Sequence, residues 1–185
     1  MKKHMMSCLV AGMALGLMAL SACSTAPDSK RGKANIEDDA ATALARAKQS
    51  DRTLVRVLDR AAGYAVFPSV GKGAVGVGGA YGKGVLYERG VAVGYCDLSQ
   101  ATIGLQLGGQ SYTEIIAFET RDALQTFKDG RFRFSAQATA VALESGVGAN
   151  AKFTDGVAIF TMDEAGLMYE ASVGGQKFTY QRKDM

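Results

Sequence analysis

The spacing of hydrophobic residues changes once along the chain, near residue 63. Between Asn35 and Ala62 apolar residues recur every three or four positions, which is the period of a helix with one buried side. The segment is rich in alanine, the strongest helix former. Ser50 and Asp51 interrupt it, and either side chain suits a helix N-cap. We therefore expect two helices, the second of which ends at Gly63 as its C-cap.

From Tyr64 onward the period is shorter, and glycines separate the apolar runs, which indicates strands and turns. A tight hairpin turn is predicted at Gly108–Gly109. The six runs are Tyr64–Phe67, Gly73–Val77, Val85–Glu88, Val91–Leu98, Thr102–Leu107 and Tyr112–Glu119.

A short helix is predicted next, over Arg121–Lys128, and it ends at Gly130. Strands at Phe132–Phe134, Ala138–Leu143 and Val157–Met162 follow, and then a hairpin of Leu167–Val173 with Lys177–Arg182 that turns at Gly174–Gly175. The pattern predicts a single α+β domain over residues 35–185. Its N-terminal helices precede a glycine-rich, strongly bent, mostly antiparallel sheet with a short inserted helix.

The first 22 residues have the pattern of a secretion signal. Lys2 and Lys3 precede the apolar stretch Leu9–Leu20, which is shorter than the roughly 20 residues that span a bilayer. Leu20-Ser21-Ala22-Cys23 resembles the lipobox of bacterial lipoproteins, in which a cysteine thiolate takes up diacylglycerol. The resemblance implies cleavage before Cys23, lipidation of its sulfur and a further acyl chain on its amine.

Residues 23–34 contain the lipidated cysteine and a small, polar, flexible tether. Eleven residues reach at most roughly 35 Å, so the domain is expected to stay close to its membrane. Ser24 follows Cys23 where retained inner-membrane lipoproteins often carry aspartate. By resemblance this favours the outer membrane and its periplasmic face, with exposure at the cell surface left open.

The charge and the histidine count exclude several classes of function. Without Lys2 and Lys3, the 163 residues from Cys23 onward carry 19 basic and 18 acidic side chains. That balance argues against nucleic-acid binding. His4 is the only histidine and lies in the signal, which excludes Ser-His-Asp and Cys-His catalysis. Beyond Cys23 only Cys96 remains, so no intramolecular disulfide forms, and its apolar strand favours a buried small hydrophobe over a reactive thiol.

No catalytic, metal or cofactor site is predicted. The spacing of the carboxylates Glu114, Glu119 and Glu144 does not indicate a general acid and base pair. A catalytic Ser-Lys pair stays open as an alternative hypothesis. Gly71–Gly76 fits the spacing G-x-G-x-x-G, but more glycines follow it instead of a helix. The dinucleotide interpretation requires that helix, and close strand packing explains the glycines better.

Basic residues are the remaining candidates for a binding site. Arg52, Arg56 and Arg60 recur every four residues and form the arginine ridge. The ridge is either a solvated helix face with Asp51 and Asp59 as partners, or a contact for anionic lipid. Beside glycine turns, Lys72, Lys83 and Arg89 are either ordinary solvated side chains or contacts for phosphate head groups.

Two aromatic positions have a similar pair of interpretations. Phe132, between two arginines, and Tyr112 are candidates for membrane wedges. Phe132 and Phe134 share one face at strand spacing, which favours packing in the core.

The segment Gly63-Tyr64-Ala65-Val66-Phe67-Pro68-Ser69-Val70, with the glycine run through Gly90, resembles the SYLF domain family. Further matches are Gly104–Ser111, Ile115–Phe118 and Ala136–Gly148, so the resemblance extends from about Ile36 to the C-terminus. It implies a lipid-binding module with eukaryotic relatives that bind phosphoinositide membranes and some fungal relatives that bind actin. Lipid contact in the family is associated with a basic amphipathic N-terminal helical region. Here that region is 35–62, which includes Lys48 and the arginine ridge.

Two principal hypotheses follow. The first is a membrane-anchored, non-enzymatic protein that binds anionic phospholipids such as phosphatidylglycerol or cardiolipin. Its candidate lipid-binding residues are Lys48, Arg52, Arg56, Arg60, Lys72 and Lys83. The alternative is an interaction module that binds an envelope protein or cell-wall component at its sheet edges and touches lipid only through Cys23.

Overall fold

The computed structural model describes residues 27, 29–75, 77–103, 108–134, 139–142, 144–163, 170–172 and 174–183. The predicted signal and Cys23 lie outside these ranges. Parts of four predicted strands do so too, namely residues 76, 104–107, 138, 143, 167–169 and 173. The described helices are α1 (Lys30–Ser50), α2 (Leu54–Arg60) and α3 (Arg121–Lys128), with a 3₁₀ turn at Val147–Asn150. The strands are β1 (Gly63–Val75), β2 (Val77–Glu88), β3 (Val91–Ile103), β4 (Gly108–Phe118), β5 (Thr139–Ala142), β6 (Val157–Asp163), β7 (Glu170–Ser172) and β8 (Lys177–Arg182).

All eight strands belong to one sheet, in the order β7-β5-β6-β4-β1-β2-β3-β8. Neighbouring strands are antiparallel except β5 and β6, which run parallel. The two edge strands, β7 and β8, follow one another in the chain, joined by residues 173–176. Because the five steps from Ser172 to Lys177 span at most roughly 18 Å, the sheet must coil until its edges approach each other. It is not closed, and the α+β class with a strongly bent sheet is confirmed.

The inner face of the coiled sheet holds an aromatic core. Residues from near both edges, Ala140 and Phe178, join the same buried cluster as Ile116 at the centre of the sheet, which identifies this face as the inner one. α3 covers it with Leu124 and Phe127. Six phenylalanines form a chain of ring contacts across it: Phe67, Phe118, Phe127, Phe132, Phe134 and Phe178.

The outer face of the sheet is covered by α1 and α2. α1 buries one stripe of small residues at three- and four-residue spacing, and α2 buries Leu54, Val57 and Leu58. They pack on outward-facing residues of the strands, among them Val66, Val85 and Phe160. The stripe on α1 is Ala40, Ala43, Leu44 and Ala47.

The predicted break between the helices is confirmed, but their outer ends are not where the sequence pattern put them. α1 begins at Lys30 instead of Asn35, because Ser29 acts as the N-cap and accepts a hydrogen bond from Gly32 N at 3.0 Å. The last residues of the predicted tether are therefore helical. Gly63 was predicted as a C-cap, but it is the first residue of β1. A Cβ at Gly63 would lie 2.8 Å from the Tyr87 carbonyl oxygen, so close strand packing requires this glycine.

Several predicted turns lie within paired strands. The six predicted runs merge into the four long strands β1–β4. Gly108 pairs with Ala74, and Gly109 pairs with Gly73. The predicted hairpin turn at Gly108–Gly109 is therefore wrong, because both residues are paired with β1 inside strand β4.

The predicted final hairpin is also wrong in its pairing, although a turn does occur at Gly174–Gly175. β7 pairs with β5, whereas β8 pairs with β3. Pairing with β3 sets Phe178 opposite Leu98, and both side chains join the inner core.

Other expectations from the sequence hold. α3 has its predicted bounds and is capped by Thr120. Phe132 and Phe134 lie in the core, although only a single bridge, from Arg133 to Lys177, stands where a strand was predicted. Two further expected features are also present: a buried Cys96, and strand β2 instead of a helix after Gly71–Gly76. Tyr112, a candidate membrane wedge, is instead buried in the core.

Substitution of Gly84 tests whether the glycines of the sheet are required for close packing of the strands. An added Cβ would lie 2.6 Å from the Val66 carbonyl oxygen and 2.7 Å from the Phe67 ring. Gly84→Ala is therefore expected to lower the free energy of unfolding by about 1–3 kcal/mol in urea denaturation followed by circular dichroism. Gly71→Ala is the matched control, because its Cβ would meet only the Tyr81 carbonyl oxygen, at 3.9 Å. An equal loss in both variants would contradict the packing role.

Candidate functional site

The corner between α1 and α2 is organised around one buried carboxylate, Asp51. The Asp51 side chain accepts hydrogen bonds from Thr53 N at 2.8 Å and Thr53 Oγ1 at 2.7 Å. It also accepts from Gly146 N at 3.1 Å and Gly148 N at 2.5 Å, 95 and 97 residues away in the chain. The corner is thereby fixed to the 3₁₀ turn at Val147–Asn150.

The hydrogen bonds favour the ionised form of Asp51. Burial by itself would oppose ionisation, but the hydrogen bonds from Thr53, Gly148 and Gly146 outweigh it and lower the pKa of this carboxyl. Because the folded pKa lies below that of the unfolded chain, the stabilisation is present at neutral pH and is lost as the pH falls through the folded pKa. The sequence pattern offered Asp51 as an ion-pair partner for the arginines, and this expectation is wrong.

The arginine ridge lies on the solvent side of this corner. Arg52 is in the turn before α2, whereas Arg56 and Arg60 lie on the helix one turn apart, and all three side chains are exposed. None of them forms an ion pair with a residue in the described ranges. Lys48 is half-buried in the last turn of α1, just before the corner. The structure thus brings four of the six predicted lipid-binding residues into one region.

The two other candidates, Lys72 and Lys83, lie within strands and on opposite faces of the sheet. Lys72 pairs with Ala80, a residue of the inner core. Lys83 pairs with Asp97 on the outer face, where its Nζ lies 3.4 Å from Asp97 Oδ1. Burial opposes the charge of Lys83, but Asp97 outweighs it and raises the pKa of the lysine.

The two lysines therefore do not extend the arginine ridge. Lys72 lies nine residues along β1 from Gly63, a distance of roughly 30 Å in an extended strand. The expectation that both lysines sit at glycine turns is wrong, since each is inside a strand. Arg89 does lie at a turn, between β2 and β3, where it adopts a φ of 51° beside Gly90.

A buried polar cluster on the inner face was not predicted from the sequence pattern. Glu114 is completely buried, and Gln176 Nε2 donates a hydrogen bond to its Oε2 at 3.0 Å. Burial raises the pKa of Glu114 to about 7. The signal was present in the sequence: Glu114 alternates with Tyr112 and Ile116 in a strand whose neighbouring residues are apolar.

Within the described ranges, no three Asp, Glu, Cys or His side chains gather as a metal-binding group. A search of the same residues finds no helix that is both long enough and apolar enough to cross a membrane.

Part of the chain matches a family model. Residues 99–185 match the family model Ysc84, described as a Las17-binding protein actin regulator. The resemblance to the SYLF family is confirmed. The matched segment begins in β3 and includes both edge strands, but it does not include the arginine ridge.

A curated relative matches a larger part of the chain. It is "Beta cell expansion factor A" from Aeromonas veronii, which is 28% identical over 151 residues, or 81% of this chain. The aligned part of the chain spans 58% of the length of that relative.

Asp51→Asn is expected to destabilise the fold, because its amide nitrogen would face backbone N–H groups that now bind a carboxylate. Hydrogen bonds to a charged group contribute about 1.5–3 kcal/mol each, so a loss of about 2–3 kcal/mol is expected in urea denaturation at pH 7. Asp59→Asn, at an exposed position of α2, is the control and should change stability by less than about 0.5 kcal/mol. Similar values for the two variants would show that Asp51 does not hold the corner.

Proposed function

We propose that this protein is a membrane-anchored, non-enzymatic protein that binds anionic phospholipid head groups through the arginine ridge and Lys48. The proposal rests on the positions of the charged side chains at the corner between α1 and α2. Asp51, which adjoins Arg52, turns inward and accepts hydrogen bonds from Thr53, Gly146 and Gly148. Asp59, which adjoins Arg60, is exposed and forms no ion pair with an arginine within the described ranges. The exposed guanidinium groups are therefore available to phosphate groups.

The ridge is also held in a fixed arrangement, which favours binding. Leu54, Val57 and Leu58 bury the opposite side of α2, and Asp51 fixes its start. The backbone that carries the arginines is therefore ordered before binding, so contact with phosphate groups costs only the rotamer freedom of the exposed side chains. Each basic residue near an anionic surface contributes about 1 kcal/mol, and the attraction is screened by salt.

The proposed membrane is the periplasmic face of the outer membrane, reached through a lipidated Cys23. The seven residues from Cys23 to Lys30 span at most roughly 25 Å. α1 has 21 residues and is about 30 Å long, so the ridge lies one helix length from the anchored end. Both contacts can be made together when α1 lies nearly parallel to the membrane.

A second candidate function is docking of an envelope protein or cell-wall component on a sheet edge. The matched family is described as a Las17-binding regulator, and its matched segment contains β7 and β8 but none of the ridge arginines. Edge strands present unpaired backbone groups that can add a strand from a partner. In this case lipid contact would come only from Cys23.

Vesicle flotation separates the two functions. The protein used is the chain from Ser24 onward, which contains every described element and lacks Cys23. We expect it to float with vesicles that contain phosphatidylglycerol or cardiolipin at low salt and to be released at high salt. Replacing Arg52, Arg56 and Arg60 by Glu removes about 3 kcal/mol or more of attraction, which corresponds to a loss of over about 100-fold in affinity.

The control for flotation has the same change of net charge at exposed positions elsewhere: Arg121→Glu, Lys177→Glu and Arg182→Glu. It should retain binding within about threefold, because screening confines the attraction to charges within roughly 10 Å of the membrane. Unchanged binding by the ridge variant would overturn the assignment of the ridge. Absence of binding by the unmodified domain to every vesicle would favour docking on a sheet edge.

The anchor has a separate test in the full chain, expressed in a bacterium. Mass spectrometry is expected to find an N-terminal peptide that begins at Cys23 and carries acyl chains, because the thiolate is the acceptor of diacylglycerol. Cys23→Ser should remove the lipid mass and leave the signal uncleaved. A mature chain with an unmodified Cys23 would contradict the proposed anchor.

A further inference from the structure

A layer of buried polar side chains lies beside the aromatic core on the inner face of the sheet. Tyr112 and Glu114 of β4, Thr161 of β6 and Gln176 of the β7–β8 link are all fully buried. Within the described ranges, one oxygen of each side chain has no hydrogen-bond partner: Tyr112 Oη, Glu114 Oε1, Thr161 Oγ1 and Gln176 Oε1. Buried polar atoms in native proteins are rarely left without partners, so this group requires a physical explanation.

The hydrogen bond from Gln176 Nε2 to Glu114 Oε2 suggests how two of these atoms are satisfied. If Glu114 were ionised, its Oε1 and the Oε1 of Gln176 would both be acceptors, and neither could serve the other. A protonated carboxyl carries one O–H donor. That donor can bind Gln176 Oε1 while the amide donates in return, so the two side chains join through two hydrogen bonds.

We propose that Glu114 is held as a neutral carboxylic acid paired with the Gln176 side chain, and that this pair is a pH-sensitive clamp between the β7–β8 link and the centre of the sheet.

The surroundings of Glu114 favour the neutral form. Desolvation is the dominant influence and raises the pKa of this carboxyl. The hydrogen bond from Gln176 opposes that rise, as does the nearby hydroxyl of Tyr112 on the same strand, and Lys72 of β1 opposes it by its charge. Thr161 of β6, which pairs with Glu114, does not titrate. Among the described residues Lys72 is therefore the charged group that acts on Glu114, and it is half-exposed, which weakens its effect.

The direction of the pH effect follows from this balance. The folded protein binds the Glu114 proton more tightly than the unfolded chain, in which the carboxyl has its ordinary pKa of 4.5. The stabilisation by the pair is complete below that value and is lost as the pH rises through the folded pKa of about 7. The clamp is thus closed in mildly acidic solution and weakened in mildly basic solution.

The clamp acts at the place where the two edges of the sheet are joined. Gln100 Nε2 donates to the Gly174 carbonyl oxygen at 2.7 Å, and Gly175 N donates to the Phe134 carbonyl oxygen at 3.4 Å. Gln176 supplies the third attachment of the link through its hydrogen bond to Glu114. This attachment depends on pH, because the carboxyl group of Glu114 can titrate. Ionisation of Glu114 should therefore loosen the link and the adjoining ends of β7 and β8.

The test uses hydrogen–deuterium exchange of the full chain in detergent at pH 6 and pH 8, corrected for intrinsic rates. Peptides that cover residues 170–183 are expected to exchange at least roughly tenfold faster at pH 8, since one pKa unit is a tenfold change in equilibrium. Glu114→Gln cannot ionise but keeps a donor and an acceptor, so it should abolish this pH dependence. Glu119→Gln, at an exposed position after β4, is the matched control and should leave it unchanged.

Infrared spectroscopy of the unmodified protein gives a second readout that does not depend on the folding of a variant. A band from a protonated carboxylic acid should be present at pH 6 and disappear as the pH rises through about 7. Absence of that band overturns the proposal. The same pH dependence of exchange in the unmodified chain and in folded Glu114→Gln also overturns it.

Discussion

The short connection between β7 and β8 constrains the whole molecule. Residues 173–176 join strands at opposite edges of an eight-stranded sheet, so a flat sheet is impossible. Coiling brings the inner side chains of distant strands together and creates the phenylalanine core. It also leaves one convex face, which α1 and α2 cover. The positions of the core, the helices and the exposed arginines all depend on this one short segment.

The corner between α1 and α2 buries the negative charge of Asp51 and exposes the positive charges of the arginine ridge. Asp51 finds its donors in backbone N–H groups contributed by a distant turn. A surface ion pair with an arginine would contribute little to stability, whereas several hydrogen bonds to a buried carboxylate contribute considerably more. The Asp51 carboxylate is therefore buried, whereas the guanidinium groups of the arginine ridge remain in solvent. The lipid-binding proposal depends on this separation of charges.

Local features could be predicted from the sequence, and non-local pairings could not. The helix break at Ser50–Asp51, the bounds of α3 and the core position of Phe132 follow from spacing over a few residues. The partner of β8 could not be predicted, because a glycine turn before it is equally compatible with a hairpin and with a return to β3. The roles of Asp51 and Glu114 depend on donors 95 and 62 residues away. Spacing along the chain holds no information about contacts of that kind.

The strand that completes one edge of the sheet pairs with a strand that lies far from it in the chain. Leu98 of β3 pairs with Phe178 of β8, 80 residues further on, so the edge of β3 stays uncovered until β8 reaches it. Until then β3 presents unpaired backbone groups, and the core lacks Phe178. Such an edge invites pairing with other chains, and pairings between distant segments form slowly. During folding the protein is therefore exposed to pairing with its neighbours until β8 has covered β3.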